Sequence, residues 1–292
     1  MKFIIISVLL LLFTACIAEE FTYDLQGHRG ARGLAPENTI PGFLTAIDYG
    51  VNTIELDVVV TADKKMLVSH EPWFNHQIST KPNGTPVSEE EQMELNIYKM
   101  TYEETNRYDV GKRGHEGFPN QQPMEVIKPL MVDAIIAMEE YVDEQGLDPV
   151  YYNIETKSRY EWYGEFTPYP DEFSQLLYDE LSQLDVLDRV IVQSFDPATL
   201  IAMRDIDPDV TQAMLVSEEE QGVELYIKIL GYTPEILSPN YELVTPELVA
   251  DVHGHGMAII PWTINKTEEM IRLLDMGVDG IITDYPNRAP QR

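Results

Sequence analysis

A series of short apolar runs, each followed after a polar break by a segment of helical periodicity, limits what this chain can fold into. The runs are YDLQGHRG, NTIELDVVVT, VYYNIET, RVIVQSF, TQAMLV, EILSPN, AIIPWTIN and DGIITDYP. Several are continuously apolar, which marks parallel strands buried on both faces, whereas a strand with one wet face alternates. Between them lie MVDAIIAMEEYVDEQG, DEFSQLLYDELSQL, PATLIAMRDID and TPELVADVHGHG, with apolar residues at helical spacing. About eight strands, each followed by a helix, predict an α/β chain folded as a (β/α)₈ TIM barrel over residues 22–292. A doubly wound open sheet is the rival, but no Gly-rich dinucleotide turn follows the first strand. The net charge of −30 does not signal disorder, because 44% of residues are hydrophobic and can fill such a core. It does exclude a general nucleic-acid binder, which needs a basic face to displace counterions. An acidic chain that handles phosphate must place positive charge locally, by metal or by a few chosen cations.

Two stretches depart from the barrel pattern. Lys2 and the apolar run Phe3 to Phe13, broken only by Ser7, are too short for a bilayer core that needs roughly 20 residues. They suit a signal peptide over residues 1–15. Phe13-Thr14-Ala15-Cys16 resembles a bacterial lipobox, which predicts cleavage before Cys16, lipidation of Cys16 and an exported, periplasmic or outer-surface lipoprotein touching the membrane through that anchor only. A plain secretory signal with an incidental Cys is the alternative. As the sole cysteine, Cys16 permits no internal disulfide. The second departure, about residues 71–128, is too long for an ordinary strand-to-helix link. It reads either as a subdomain inserted after the second strand region, capping the barrel mouth, or as a solvated loop. Its His76 and His115 are expected to be solvated. The acidic runs Glu89-Glu90-Glu91 and Glu218-Glu219-Glu220 suit helix N-termini or solvated faces.

In a barrel of this kind, catalytic residues stand where apolar strands end in polar ones. The first strand ends in Gly27-His28-Arg29-Gly30: a titratable ring, a fixed cation and backbone room for a ligand. The second carries Glu55 and Asp57, which share one face while Ile54, Leu56 and Val58 share the other. Two like charges on an inward face need a proton or a cation, and oxygen-only ligands favour one divalent ion, Mg²⁺ or Ca²⁺. Carboxylates facing solvent are the alternative. A hairpin return ending at His70 should bring that ring back toward Glu55 and Asp57. The next strand adds Asn153, Glu155 and Lys157 on one face, either as part of the site or as a structural Glu–Lys pair. Gln193-Ser194-Phe195-Asp196, Pro261-Trp262-Thr263-Ile264-Asn265 and Thr283-Asp284-Tyr285-Pro286 look like site walls. Ser194 has no evident base, and Trp262 either packs against an apolar or polyol part of a ligand or fills the barrel mouth. His253-Gly254-His255 has metal-binding spacing, but its place after a helix favours C-terminal capping at the opposite rim.

Taken in order, Gln26-Gly27-His28-Arg29-Gly30, Pro36-Glu37-Asn38-Thr39, Glu55-Leu56-Asp57, Val68-Ser69-His70, Asn153-Ile154-Glu155-Thr156-Lys157, Gln193-Ser194-Phe195 and the two later strand ends resemble the glycerophosphodiester phosphodiesterase family. The resemblance covers nearly the whole chain after the signal segment. One departure is His70-Glu71, where the family usually has His-Asp. The resemblance implies a TIM barrel with His28 and His70 as acid/base pair. It implies a divalent metal on Glu55, Asp57 and Glu155, and phosphodiester oxygens on Arg29 and Lys157. It also implies hydrolysis of glycerophosphodiesters to sn-glycerol 3-phosphate and an alcohol, by way of a cyclic phosphate or by direct water attack. Two rival functions are a phospholipase D-like enzyme on lysolipids and a non-catalytic, surface-anchored ligand-binding lipoprotein. The second has no need of two acid/base groups.

Overall fold

The computed structural model describes residues 23–217 and 222–290. The predicted signal segment, Cys16 and the run Glu218-Glu219-Glu220 therefore lie outside the described residues. Nine strands are described: β1 (Asp24–Gly27), β2 (Thr53–Val60), β3 (Met66–Val68), β4 (Tyr151–Thr156), β5 (Val190–Ser194), β6 (Thr211–Val216), β7 (Ile236–Pro239), β8 (Ala258–Ile259) and β9 (Gly280–Thr283). Eight of them form one parallel ladder in the order β8-β7-β6-β5-β4-β2-β1-β9, and β3 pairs antiparallel with β2 outside that path. The two ends of the ladder meet through Asp279 N to Ile259 O (3.0 Å), Ile282 N to Pro261 O (3.0 Å) and Ile264 N to Ile282 O (2.9 Å). The sheet thus closes on itself as the predicted (β/α)₈ barrel. The run AIIPWTIN contributes only Ala258–Ile259 as regular strand. Pro261 follows too soon and has no N–H to give to a ladder.

The helices are α1 (Ile40–Asp48), α2 (Tyr102–Thr105), α3 (Met131–Gln145), α4 (Pro170–Leu181), α5 (Pro197–Ile206), α6 (Val223–Leu230), α7 (Pro246–Gly254) and α8 (Thr267–Asp275). Their boundaries follow local chemistry. Thr39, Asp196 and Thr245 cap α1, α5 and α7 by accepting from Gly42 N, Ala198 N and Leu248 N. Proline opens α4, α5 and α7, where its missing N–H has no helical partner to lose. Gly146 ends α3 in the left-handed conformation, at φ 64°.

Strand parity sorts the core into layers. Ile54, Leu56, Val58 and Val60 of β2 face outward into the main apolar layer with Phe43 of α1, Met131 of α3 and Phe173 of α4. The barrel interior is divided. Ile191, Ala213, Ile236, Ile260 and Ile282 fill one side. On the other, Gln193 Nε2 donates to Glu55 Oε1 (2.9 Å), Asn153 Nδ2 to Gln26 Oε1 (2.7 Å) and Gln26 Nε2 to Asp24 Oδ2 (2.7 Å). These bonds make a polar column that runs down from the carboxylates.

The segment between β3 and α3 has an apolar core of its own, built from Phe74, Ile78, Val87, Ile97 and Val110 on Val59 and Leu67 of the β2–β3 hairpin. It reaches the barrel top at several points. Trp73 packs edge-on against Trp162 (5.6 Å) and Phe166 (5.5 Å), Asn96 Nδ2 donates to Glu165 O (2.9 Å), and Gln121 Nε2 donates to Arg32 O (2.8 Å). His76 and His115, expected in solvent, are instead half-buried. The ring of His76 bonds Gln92 Oε1 at 3.0 Å, and His115 Nδ1 accepts from Gly117 N at 3.0 Å. His253 and His255 end α7 with separate partners, Asp279 Oδ2 (2.9 Å) and Asp251 O (2.9 Å), and do not converge on one point. Leu56 is fully buried between β2 and the helices. Leu56→Ala should cost about 2–5 kcal/mol in a urea unfolding titration at unchanged slope, as cavity formation under a β-strand does.

Candidate active site

The register of the parallel ladder assembles an acidic cluster. Asp57 of β2 lies opposite Glu155 of β4, and Glu55 lies opposite Asn153. Glu55, Asp57 and Glu155 each bring one carboxylate oxygen within 4.8 Å of the others, and all three are buried. Their remaining contacts are polar or cationic. Arg29 N and Gln193 Nε2 donate to Glu55 (2.7 and 2.9 Å). Asn38 Nδ2 donates to Asp57 Oδ2 (2.7 Å), with Arg29 Nε at 3.4 Å and Lys157 Nζ at 3.5 Å from the same carboxylate. Lys157 Nζ donates to Glu155 Oε1 at 2.6 Å.

The β1–α1 turn delivers the first histidine. A Cβ at Gly30, whose φ is 82°, would lie 2.6 Å from the backbone of Gly42, so only glycine fits this close approach to α1. Arg29 takes a left-handed conformation at φ 49°, which aims its N–H at Glu55. His28 Nδ1 then meets Asp284 Oδ1 at 2.6 Å, beyond the end of β9, and Asn265 Nδ2 holds the other oxygen of Asp284 at 2.7 Å. The β2–β3 hairpin returns His70 to the same mouth, where its Nδ1 meets Glu71 Oε1 at 2.7 Å. Ser69 Oγ donates to Glu71 O (2.6 Å) and accepts from Lys128 Nζ (2.8 Å), which fixes that turn. A carboxylate only accepts, so each histidine carries its proton on Nδ1 and leaves Nε2 as the free ring nitrogen.

Burial and charge set the protonation of the site. Burial raises Glu55 well above its ordinary value, and the charges of Asp57 and Glu155 push it the same way. Glu155 is lifted to about 7, chiefly by burial, against the pull of Lys157. Burial also opposes ionisation of Asp57, but Lys157, His70, Arg29 and Asn38 together hold it ionised. His70 is lowered to about 4 by burial and by the cations Arg29 and Lys157. Burial likewise lowers His28, partly offset by Asp284. With all six carboxylates ionised (Glu37, Glu55, Asp57, Glu71, Glu155 and Asp284), the four cations (Arg29, Arg32, Lys128 and Lys157) would leave two negative charges in excess, and the raised Glu55 and Glu155 show that protons otherwise offset it. A divalent cation on Glu55, Asp57 and Glu155 fits both that excess and the all-oxygen donor set.

A cavity of about 240 Å³ opens over the cluster, with His28, Arg29, Glu55, His70 and Glu155 on its walls. Phe195 and Trp262, packed edge-on at 5.5 Å, form its apolar side. Trp262 spends its indole N–H on Ser238 O (2.9 Å), so the ring serves as a wall. A larger cavity, about 480 Å³, lies at the opposite end of the barrel beside Asp24, Thr53 and Asp279, away from both histidines. Every site residue singled out from the sequence within the described residues, from His28 to Trp262, therefore gathers at one mouth. Arg29 and Lys157 stand there engaged by carboxylates. Sequence reasoning missed the partners. Glu37 and Asn38 were noticed only as part of a motif, Glu71 only as a departure, and Asp284, Asn265 and Gln193 only as walls. Position at or after a strand end was the available signal for Glu71, Gln193 and Asp284.

Comparison with known proteins agrees with this geometry. The family model described as "Glycerophosphoryl diester phosphodiesterase family" matches residues 28–288. A glycerophosphodiester phosphodiesterase of Bacillus altitudinis is 29% identical over 265 residues, covering 90% of this chain and 94% of that protein. A solved protein of Silicibacter pomeroyi DSS-3, assigned to the glycerophosphoryl diester phosphodiesterases, superposes with a TM-score of 0.80 at 28% identity, covering 91% of each chain. A phosphodiesterase of Oleispira antarctica, solved with the product sn-glycerol-3-phosphate, shares the fold with a TM-score of 0.71 at 20% identity, covering 92% of this chain and 95% of that one.

The raised carboxyls make stability depend on pH and metal together. Glu155 titrates at about 7, against an ordinary 4.5, so the folded chain keeps protons that the unfolded chain has lost across that window. Metal-free stability therefore falls as pH rises through it. Adding Ca²⁺ or Mg²⁺ should raise the melting temperature more at about pH 8, where the cluster is charged, than at about pH 5, where protons compete for it.

Proposed function

The chain belongs to the glycerophosphoryl diester phosphodiesterase family, a family of phosphoric diester hydrolases, and from that premise we propose that it cleaves glycerophosphodiesters to sn-glycerol 3-phosphate and an alcohol. The observation that carries this reading is the convergence of three buried carboxylates from two strands within 4.8 Å, at a cavity with a histidine from each of two further turns. Glu55, Asp57 and Glu155 would hold one divalent cation, Ca²⁺ or Mg²⁺, which when bound supplies charge stabilisation to a phosphoryl oxygen.

The chain's own groups account for the rest of the chemistry. Arg29 and Lys157 border the cluster and offer positive charge to the phosphodiester oxygens as negative charge develops there. The free Nε2 of one imidazole takes the proton of the attacking hydroxyl, and the other ring, acting as the imidazolium with a second proton on Nε2, delivers that proton to the leaving alkoxide. Asp284 and Glu71 keep each ring in the tautomer these transfers require and stabilise it when it is protonated. A glycerol hydroxyl of the substrate as attacker gives a cyclic phosphate, which water then opens; water as attacker gives the products directly. Phe195 and Trp262 provide a face for the carbon skeleton of the substrate. Export as a lipoprotein through Cys16 belongs to the same proposal and is supported by the apolar run of residues 3–13.

Three measurements check the reading. His28→Ala should lower kcat on glycerophosphocholine by about 10²–10⁴-fold with the melting transition retained, because it removes one proton-transfer group. Retained activity would exclude His28 from the chemistry. Chelation should abolish turnover, and Ca²⁺ or Mg²⁺ should restore it. Product analysis on glycerophosphocholine against lysophosphatidylcholine separates the diesterase from a lysolipid-cleaving enzyme.

A further inference from the structure

We propose that Arg32 is a further substrate-binding residue, a second guanidinium presented to the phosphodiester by the segment inserted after β3. The proposal rests on the reading above that the cavity takes a phosphodiester. Arg32 lies in the β1–α1 connection and lines the catalytic cavity beside His28 and Arg29, with 18% of its side chain exposed. Its Nε donates to Glu37 Oε2, and the other oxygen of Glu37 accepts from Arg29 Nη1 at 2.7 Å. Glu37 is ionised, held down to about 2 by these two arginines against its burial. One carboxylate therefore ties two guanidinium groups side by side at the cavity wall.

What remains of Arg32 is unspent. Among the described residues, neither of its terminal nitrogens donates a hydrogen bond to the protein. By contrast, Arg29 is shared between Glu37 and Asp57, and Lys157 between Glu155 and Asp57. Arg32 is also pinned. Its guanidinium carbon lies 4.6 Å from the centroid of the Phe118 ring, and its carbonyl accepts from Gln121 Nε2 at 2.8 Å. Both partners come from the inserted segment. A planar fork held in one orientation with two free donors matches a pair of phosphoryl oxygens, and little further ordering opposes binding. The inserted segment thus acts on the reaction by orienting an arginine of the barrel.

A purely structural Arg32, serving only to hold Glu37, predicts different results. The test uses the purified protein with its divalent cation, steady-state kinetics on glycerophosphocholine, and calorimetric binding of sn-glycerol 3-phosphate and of inorganic phosphate. Arg32→Gln should raise KM and weaken both affinities by about tenfold, with kcat much less affected, as loss of a charge-assisted hydrogen bond does. Arg32→Lys should recover part of the loss. Phe118→Leu, which leaves the Glu37 contacts intact, should raise KM by a smaller factor. An active wild type whose Arg32→Gln and Arg32→Lys forms keep KM and both affinities within about twofold, whatever their melting temperatures, overturns the role of Arg32 alone. A wild type that neither cleaves the diester nor binds phosphate overturns the functional reading and this one together.

Discussion

Three carboxylates buried side by side inside a closed sheet form an unfavourable arrangement that the rest of the molecule has to compensate. Burial penalises each charge and proximity penalises the set. The chain answers with donors from every adjoining element: the Arg29 amide and Gln193 on Glu55, Asn38 on Asp57, and Lys157 between Asp57 and Glu155. None of these removes the net negative excess. With all three ionised the cluster is short of positive charge, a shortage that a proton or a divalent ion on Glu55, Asp57 and Glu155 would relieve. A barrel optimised for stability alone would carry aliphatic side chains at these positions, as it does on the opposite side, where Ile191, Ile236, Ile260 and Ile282 pack together.

The two histidines are oriented by the same device from different distances. Glu71 is the next residue to His70, so that pair is built within a single turn and needs only the β2–β3 hairpin. The partner of His28 lies 256 residues further along the chain, and the contact exists only because β9 pairs with β1. The acidic cluster has the same dual origin. Glu55 and Asp57 share a strand face, but Glu155 reaches them through the β2–β4 register.

That division explains what could be read from the sequence. The barrel was legible because buried parallel strands are continuous apolar runs, and the runs matched β1, β2, β4 to β7 and β9 closely. Only the run ending in PWTIN misled, since Pro261 halts the regular ladder while its carbonyl still serves the closure. Glu55, Asp57 and Glu155 were legible because parity along a strand places i and i+2 on one face. Asp284 as the partner of His28, and Gln193 as a donor to Glu55, were not legible as partners. Nothing local distinguishes a strand-end Asp that orients a ring from one that lines a wall. His115 was misjudged for a related reason: the surroundings of a loop histidine depend on the core of the inserted segment, and the pairing of Phe74 with Tyr108 that helps build that core has no periodic signature.

The bond between His28 and Asp284 also bears on the time at which the molecule acquires its chemistry. A chain made from its N-terminus presents its first histidine early, along with the carboxylates of β2. The aspartate that orients that ring emerges only with the final strand. Until then the His28 ring lacks its Asp284 partner, although the acids of β2 are already made. The pairing of ring and carboxylate is complete only when the last stave of the barrel is laid against the first.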